Sequence, residues 1–309
     1  MLVQTIAATL FASLILILPL AFVLAFINVA WARIPLAGYV AFCYLDPAAS
    51  NGIGRRMQWV RALSAWKYLI AYFPVRVVLE RRLDPGRSYV FGVSPHGILC
   101  YAGQIAMSWK HGGMDAALEG ITVHTAALRP ILTLPLFRDY IMALGAISSS
   151  RRSIRRCLAR GNGHSVAIVI GGAKESLHTN RGSRKLVLMR RKGFVREAIM
   201  AGAPLVPVFA FGENDILSQV ESPCLRRIQC WLQAKVKFAL PIAYGRYGII
   251  PHRTPLTIVI GSPIFVEQSS NPATGDIDAA HAKYVSELRR IYTKFRPIYD
   301  PLGDDLVIV

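Results

Sequence analysis

Charged side chains are missing from the start of the chain: none occurs from Leu2 through Ala32, and Arg33 is the first. An apolar run of this length is sufficient for a transmembrane helix, which needs about 20 residues. No basic segment precedes the run, and it is much longer than the roughly 7–15-residue apolar core of a cleavable signal peptide. We therefore expect a membrane anchor and not a signal peptide.

The apolar composition resumes from Pro35 to Leu45 and ends at Asp46. Pro19 is expected to interrupt a helix within the first run, since proline removes a backbone donor. Two arrangements fit this pattern: a hairpin of two short helices that returns the chain to its side of entry, or one tilted spanning helix followed by an interfacial segment. The pattern leaves both open.

Repeats and low-complexity segments are also absent from the 309 residues. Their absence argues against a solenoid and for a single catalytic body. We divide the chain into a membrane anchor over residues 1–46, expected to be a transmembrane helical hairpin, and a catalytic domain over residues 47–309.

Acidic residues are scarce, with 18 Asp and Glu against 36 Lys and Arg and a net charge of +18. A basic surface suits either nucleic acid or an anionic membrane with phosphate-bearing ligands, and the anchor favours the second. We expect membrane lipids and no nucleic acid as partners. By the positive-inside rule, the basic flank that follows the anchor places the domain in the cytosol. The flank contains both cations and aromatic residues, namely Arg55, Arg56, Arg61, Lys67, Trp59, Trp66, Tyr68, Tyr72 and Phe73.

Cysteines are few, scattered and odd in number, namely Cys43, Cys100, Cys157, Cys224 and Cys230. Their spacing matches neither a metal site nor a disulfide framework. We expect a reducing compartment, no metal and no prosthetic group.

From Arg87 onward, short apolar runs alternate with amphipathic stretches, which predicts an α/β domain with a mostly parallel central sheet. The predicted strands are Tyr89–Val93, Thr122–Ala126, Val166–Ile170, Leu205–Phe211 and Leu256–Ile260. The predicted helices are Ile98–Trp109, Ser153–Ala159, Lys192–Ala201 and Asp276–Lys294.

Polar and glycine-rich segments follow four of these strands, and ligands in open α/β sheets bind at the carboxyl ends of strands. The segments are Ser94–Gly97, Gly171–Ser176, Phe211–Asn214 and Gly261–Pro263. We therefore look for the chemistry at this edge of the sheet.

His96 stands between Pro95 and Gly97 at a strand-to-helix turn, where a fixed backbone and a small neighbour expose an imidazole. An imidazole is suited to general-base work near neutral pH. Taken alone, the pattern is equally consistent with a catalytic histidine and with a histidine that only hydrogen-bonds within the turn. The other six histidines lie in less constrained contexts.

The loop from Gly171 and Gly172 to Ser176 brings backbone N–H groups and the Glu175 carboxylate to the same edge. Paired glycines alone are equally typical of a tight turn. Their coexistence with a turn histidine favours a functional site.

A basic run, Arg190–Arg196, opens a predicted helix. Such runs usually form a solvated helix face. Beside a phosphate-bearing thioester the same cations would supply charge-assisted bonds.

Read in order, several segments resemble the type 2 diacylglycerol acyltransferase family, which includes monoacylglycerol and wax-alcohol acyltransferases. The resemblance covers most of the chain. Its motifs are Gly54–Arg61, Tyr72–Val75, Tyr89–Ile98, Arg138–Met142, Gly171–Ser176, Arg191–Val195, Leu205–Pro207 and Phe211–Asn214.

The resemblance implies an endoplasmic-reticulum enzyme, often reaching lipid droplets, with an N-terminal membrane hairpin and a cytosolic catalytic body. It implies that acyl-CoA and a lipid alcohol are the substrates and that His96 is catalytic. It further implies that the Pro95–Gly97 turn, the Gly171–Ser176 loop and the block Arg191, Lys192, Gly193 and Phe194 belong to the active site.

Two positions depart from related motifs. Many animal members of the family have a histidine where this chain has Ser94. Glycerophospholipid acyltransferases have an aspartate five positions after the catalytic histidine, and here that position is Tyr101. A lysophosphatidate acyltransferase is therefore disfavoured, and the group that orients His96 must come from elsewhere.

The expected mechanism is direct acyl transfer with His96 as general base and Glu175 orienting its imidazole, as the third member of a triad does. Backbone N–H groups of Gly171–Ala173, or beside Gly97, are expected to stabilise the oxyanion. A covalent route through Cys100 or Ser94 is the chemical alternative. The non-enzymatic alternative is a catalytically silent lipid-binding protein of the membrane or droplet surface.

Overall fold

A computed structural model describes residues 1–108, 110–220, 222–236 and 242–309. Within these ranges the helices are α1 (Leu2–Asn28), α2 (Arg33–Leu45), α3 (Gln58–Arg61), α4 (Ala65–Tyr72), α5 (Tyr101–Ser108), α6 (Met114–Ala117), α7 (Phe137–Leu144), α8 (Arg151–Leu158), α9 (Gly172–Ser176), α10 (Gly193–Ala201), α11 (Pro223–Val236) and α12 (Thr274–Tyr299). The strands are β1 (Arg76–Leu79), β2 (Val90–Ser94), β3 (Thr122–Ala127), β4 (Ala146–Ser148), β5 (His164–Val169), β6 (Lys185–Leu186), β7 (Leu205–Phe211), β8 (Ser218–Gln219), β9 (Ala243–Tyr244), β10 (Thr257–Ile260) and β11 (Val307–Ile308).

The main sheet has seven strands in the order β1-β10-β7-β2-β5-β3-β4. Every neighbouring pair is parallel except β10 and β7, which are antiparallel. β2 lies near the centre, paired with β5 on one side and β7 on the other. Parallel strands bring their carboxyl ends to one edge, so the segments that follow β2, β5 and β7 are neighbours in space.

Helices cover both faces of this sheet, as the continuous hydrophobicity of its strands requires. On one face, Phe91 and Val93 pack with α4 and α5 and with the first half of α1. On the other face, Val90 packs with α8, α10 and α12. The anchor helix therefore shares a hydrophobic core with the α/β domain.

The predicted fold class, α/β with a mostly parallel central sheet, is confirmed. All five predicted strands overlap strands of the main sheet, whereas its two outermost strands were not predicted. β4 has only three residues, and β1 has four, none of them fully buried, so neither gives a strong apolar signal. The helix expected over Ile98–Trp109 begins only at Tyr101, and Trp109 lies outside the described residues. The 14-residue helix α11 was also not predicted.

The anchor differs from the expected hairpin. α1 runs without a break through Pro19, so the interruption expected there was wrong. α1 is the one described helix long and apolar enough to cross a membrane. α2 returns beside it, with the rings of Phe22 and Tyr39 5.8 Å apart, but its 13 residues span only about 20 Å of the roughly 30 Å hydrocarbon layer. A hairpin of two spanning helices is therefore not confirmed.

A buried ion pair ties the end of α2 to the α/β domain. Arg138 on α7 is fully buried and donates from Nη2 to Asp46 Oδ2 at 2.6 Å. Arg55 supplies a second cation 3.0 Å from Asp46 Oδ1. The Arg138 guanidinium also lies 5.6 Å from the Phe42 ring centroid. These contacts fix the anchor against the domain at its last turn.

Replacing Asp46 by Asn should destabilise the protein by about 3 kcal/mol, because it removes the closer of the two carboxylates that pair with the buried Arg138 guanidinium and leaves it with Asp139 at 3.2 Å. Thermal unfolding in detergent micelles measures this as a lower midpoint. The matched control is Glu119→Gln, which removes an ion pair between Glu119 and Arg82. Both side chains of this pair are more than 80% exposed, so the control substitution should destabilise the protein by less than about 1 kcal/mol. Equal midpoints for the two variants would show that the pair does not hold the anchor.

Candidate active site

His96 follows the fully buried strand β2 directly, in the turn Pro95-His96-Gly97. Gly97 has φ +64°, a backbone conformation that costs glycine nothing and other residues about 1 kcal/mol or more. The chain can therefore reverse into the segment before α5. The turn leaves His96 half-buried at the carboxyl edge of the sheet.

The imidazole of His96 has a defined tautomer. Its Nδ1 lies 3.0 Å from the Gly97 carbonyl oxygen. Because a carbonyl only accepts, Nδ1 carries the proton, and Nε2 of the neutral ring is an acceptor. Burial lowers the pKa of His96 below its ordinary value, and the Gly97 carbonyl opposes this shift. The ring is therefore neutral at pH 7 and able to accept a proton at Nε2.

Glu175 is buried in α9, which follows β5, but it does not bond the imidazole. Its Oε1 accepts from the His96 backbone N–H at 2.6 Å, and its Oε2 accepts from the Val187 N–H at 2.7 Å. Burial raises the pKa of Glu175, and these two donors oppose the rise. The prediction that Glu175 contacts the imidazole ring was therefore wrong. The carboxylate of Glu175 holds the backbone of the turn, and the Gly97 carbonyl orients the ring.

Glu213 was missed as a site residue, although its motif was noted. It follows β7 and is 2% exposed, and its Oε1 and Oε2 accept from the backbone N–H groups of Tyr101 and Ala102 at 2.9 and 2.7 Å. Burial raises the pKa of Glu213 to about 8 against the effect of these donors. A second buried carboxylate therefore holds the other end of the segment that begins at His96.

The motif glycines make room for these carboxylates. A Cβ on Gly97 would overlap the Glu213 carboxyl group, and a Cβ on Gly171 would overlap the Glu175 side chain. The two glycines therefore serve the packing of the turn. Neither borders the cavity beside His96.

A cavity of about 590 Å³ opens beside His96. This volume lies within the roughly 300–1,000 Å³ range of small-molecule sites. Its walls are mostly apolar and come from α1, the turn after β2, β3, β5, α7 and α9. The wall residues include Ala12, Ile15, Leu16, Pro19, His96, Ile98, Leu99, Thr125, Ile131, Leu134, Phe137, Ile141, Ile168, Gly172, Ala173, Leu217, Tyr244 and Ile249. Sequence patterns gave no sign that the anchor helix forms part of this wall.

Cys100 also borders the cavity, and it has φ +58° in the turn before α5. Burial, with the Glu213 carboxylate next in importance, strongly raises the pKa of its thiol. The nucleophilic thiolate is therefore disfavoured, which argues against the covalent route through Cys100.

The block Arg191–Phe194 lies away from the cavity wall. Arg191 donates to the Gly171 carbonyl at 3.3 Å, so it braces the loop that carries Glu175. Lys192 pairs with Asp278 at 2.6 Å. Phe194 is a core residue, with its ring 4.9 Å from that of Tyr284. Arg191 thus supports the α9 loop and Phe194 packs in the core, and contact of this block with the phosphates of acyl-CoA stays a prediction.

Comparisons with known proteins cover most of the chain. The chain matches the family model described as "Diacylglycerol acyltransferase" over residues 23–309. It is 37% identical to the 2-acylglycerol O-acyltransferase 1 of Bos taurus over 271 residues, covering 84% of this chain and 81% of that protein. It is 38% identical to the Diacylglycerol O-acyltransferase 2B of Umbelopsis ramanniana over 274 residues, covering 84% and 78%. With the Diacylglycerol O-acyltransferase 2 of Danio rerio it shares 36% over 282 residues, covering 88% and 78%.

Among solved structures, the chain resembles the 1-acyl-sn-glycerophosphate acyltransferase of Thermotoga maritima, with a TM-score of 0.39 and 16% identity over 87% of this chain and 94% of that chain. A likeness this low supports no argument about the site. The family match and the relatives near 37% identity each cover most of the chain. The chain therefore belongs to the diacylglycerol acyltransferase family and is an acyltransferase.

Proposed function

We propose that this acyltransferase moves a fatty acyl group from coenzyme A to the free hydroxyl of diacylglycerol, with His96 as general base. One observation carries the proposal: His96, whose Nδ1 contacts the Gly97 carbonyl and whose Nε2 is left as an acceptor, lines an apolar cavity large enough for a lipid chain. The names of the relatives point to acylglycerol acceptors. These names do not separate diacylglycerol from monoacylglycerol, and a long-chain alcohol or retinol is a further alternative.

The proposed step is a direct transfer. His96 Nε2 takes the proton of the acceptor hydroxyl as its oxygen attacks the thioester carbonyl carbon. The tetrahedral intermediate then collapses with cleavage of the carbon–sulfur bond. The imidazolium returns the proton to the departing thiolate, so that ester and free coenzyme A leave and the histidine is neutral again.

The developing oxyanion needs hydrogen-bond donors beside the reacting carbon. Gly172 and Ala173 open α9 and border the same cavity as His96. The first N–H groups of a helix have no acceptor within it. These two backbone N–H groups are our candidates for the oxyanion site.

The proposed cellular location of the protein rests on α1 and on the net positive charge of the chain. α1 places the cavity beside the membrane, where an uncharged acylglycerol dissolves, while acyl-CoA reaches the site from the aqueous side. We assign the protein to the endoplasmic-reticulum membrane with a cytosolic catalytic body, and to lipid droplets as a further location. A catalytically silent lipid-binding protein is the alternative that the first experiment tests.

The His96→Ala variant should lose acyl transfer by about 10²–10⁴-fold, because no other group takes the acceptor proton. Microsomes containing wild type or variant at equal amounts are supplied with labelled oleoyl-CoA and with diacylglycerol, monoacylglycerol or hexadecanol in turn. Preferred use of another acceptor would change only the acceptor assignment. Equal activity of the variant would contradict the role of His96, and an inactive wild type would favour the lipid-binding alternative.

The pH profile tests how Glu175 acts. Activity should fall as the pH drops through the pKa of His96, and because burial lowers that pKa the midpoint should lie below 6.5. Glu175→Gln places an amide N–H₂ against a backbone N–H and should lower kcat by about 10²-fold through a shifted turn. The midpoint should stay unchanged, since the carboxylate does not bond the ring.

A carboxylate that stabilised the imidazolium directly would give a different result. Its removal would lower the pKa of His96 and move the midpoint to more acid pH. Glu119→Gln, at a side chain that is 84% exposed, is the control for a general loss of negative charge.

Filling the cavity from α1 should change the acyl-chain preference. Ala12 borders the cavity, so Ala12→Trp should shift preference from 18-carbon to shorter acyl-CoA substrates while His96 stays intact. The matched control is Ala21→Trp, an exposed position of the same helix. Identical chain-length profiles for the two variants would mean that the acyl chain does not lie in this cavity.

A further inference from the structure

α11 carries its apolar side outward. Cys224, Ile228, Trp231 and Leu232 are spaced three or four residues apart and share one face. On this face Ile228 is 52% and Trp231 61% exposed, whereas Gln229, on a different face, is 3% exposed. A surface helix of a soluble protein has the opposite arrangement, with its apolar stripe toward the core. The apolar side chains on this face of α11 are therefore exposed where an apolar environment would stabilise them.

The segment 242–250 adds further exposed apolar side chains. Ile242, Tyr244, Tyr247 and Ile249 are all exposed, and Tyr247 reaches 81%. Tyr and other amphipathic aromatic side chains are favoured at the membrane–water interface, where the ring is apolar and the hydroxyl is wet. We call α11 and segment 242–250 together the α11 surface.

The charged residues within the segment that forms this surface are all basic. From Pro223 to Arg253 the sequence has no Asp or Glu, and its basic residues are Arg226, Arg227, Lys235, Lys237, Arg246 and Arg253. Among the described ones, Arg227, Lys235, Arg246 and Arg253 are exposed. A surface of apolar side chains whose charged residues are all cations matches a partner that is apolar inside and anionic outside. A membrane leaflet that contains acidic phospholipid is such a partner.

The α11 surface is also continuous with the anchor through the cavity. Tyr244 and Ile249 form part of the cavity wall, as do Ala12 and Leu16 of α1. Ala243 and Ile250 pack against the same core as the first half of α1. A membrane held by α1 is therefore available to a surface that borders the same cavity.

We propose that the α11 surface is a second membrane-contact site, which inserts its apolar face into the headgroup layer of the bilayer that α1 enters. Its cations then bind acidic phospholipid headgroups. The contact would hold the cavity at the bilayer surface from two sides. It is independent of which acceptor the enzyme uses.

Two native cysteines allow a matched test in the full chain. Cys224 lies on the apolar face of α11, and Cys230 lies about 120° away around the helix; both are exposed, whereas Cys43 and Cys157 are buried. Because Cys100 is only partly buried, both variants also carry Cys100→Ser. Cys230→Ser then leaves Cys224 for a nitroxide label, and Cys224→Ser leaves Cys230. Each labelled protein, with one label verified by mass spectrometry, is placed in phosphatidylcholine nanodiscs with or without phosphatidylserine.

The nitroxide at Cys224 should collide more with oxygen, which concentrates in lipid, than with a water-soluble nickel chelate. The nitroxide at Cys230 should show the reverse. Equal access of both labels to the chelate would overturn the proposal. Shielding of the Cys224 label from both reagents, with dipolar broadening between labels, would also overturn it, since a second copy of the chain would then cover the face.

The headgroup part of the proposal has its own measurement. Phosphatidylserine should move the Cys224 label deeper, and Arg227→Gln with Lys235→Gln should abolish this lipid-dependent shift. The control removes two exposed cations elsewhere, Arg152→Gln with Lys283→Gln, and should retain the shift. A shift that is unaffected by the first pair of substitutions would contradict binding of acidic headgroups by this surface.

Discussion

Two buried carboxylates hold the backbone that carries His96, and the geometry of the site depends on them. Glu175 accepts the N–H of His96 itself, and Glu213 accepts the N–H groups of Tyr101 and Ala102. Buried carboxyl groups are costly unless donors surround them, and the turn supplies those donors. The strands before these glutamates, β5 and β7, flank β2, so the sheet order brings both carboxylates to the same turn. The imidazole is then free to be oriented by the Gly97 carbonyl.

The apolar helix α1 is part of the candidate site. α1 shares a core with the α/β domain and forms one wall of the cavity beside His96. The buried Asp46–Arg138 pair fixes the chain where it leaves α2. An apolar cavity built in part by the anchor suits a reaction between two lipid-soluble groups, because it keeps water, a competing nucleophile, away from the thioester.

The contacts that the motif residues make around His96 are mostly structural. Gly97 and Gly171 leave space for carboxylates, Arg191 braces the α9 loop, and Phe194 packs in the core. Among the described residues of the cavity wall, His96 is the one imidazole. In the proposed mechanism the chemistry rests on this ring, and the surrounding motif residues keep its backbone in place.

The sequence alone determined the fold class, the apolar anchor and the turn histidine, because strand hydrophobicity, an uncharged run and a Pro-His-Gly turn are local patterns. Only the tertiary structure decided that Glu175 bonds the backbone of His96 and not its ring, that Glu213 completes the same turn, and that α1 lines the cavity. Each of these depends on contacts between residues about 80 to 110 positions apart, which sheet order and helix packing establish and no local pattern encodes. For the same reason the outward-facing apolar side of α11 was visible only once its neighbours were placed.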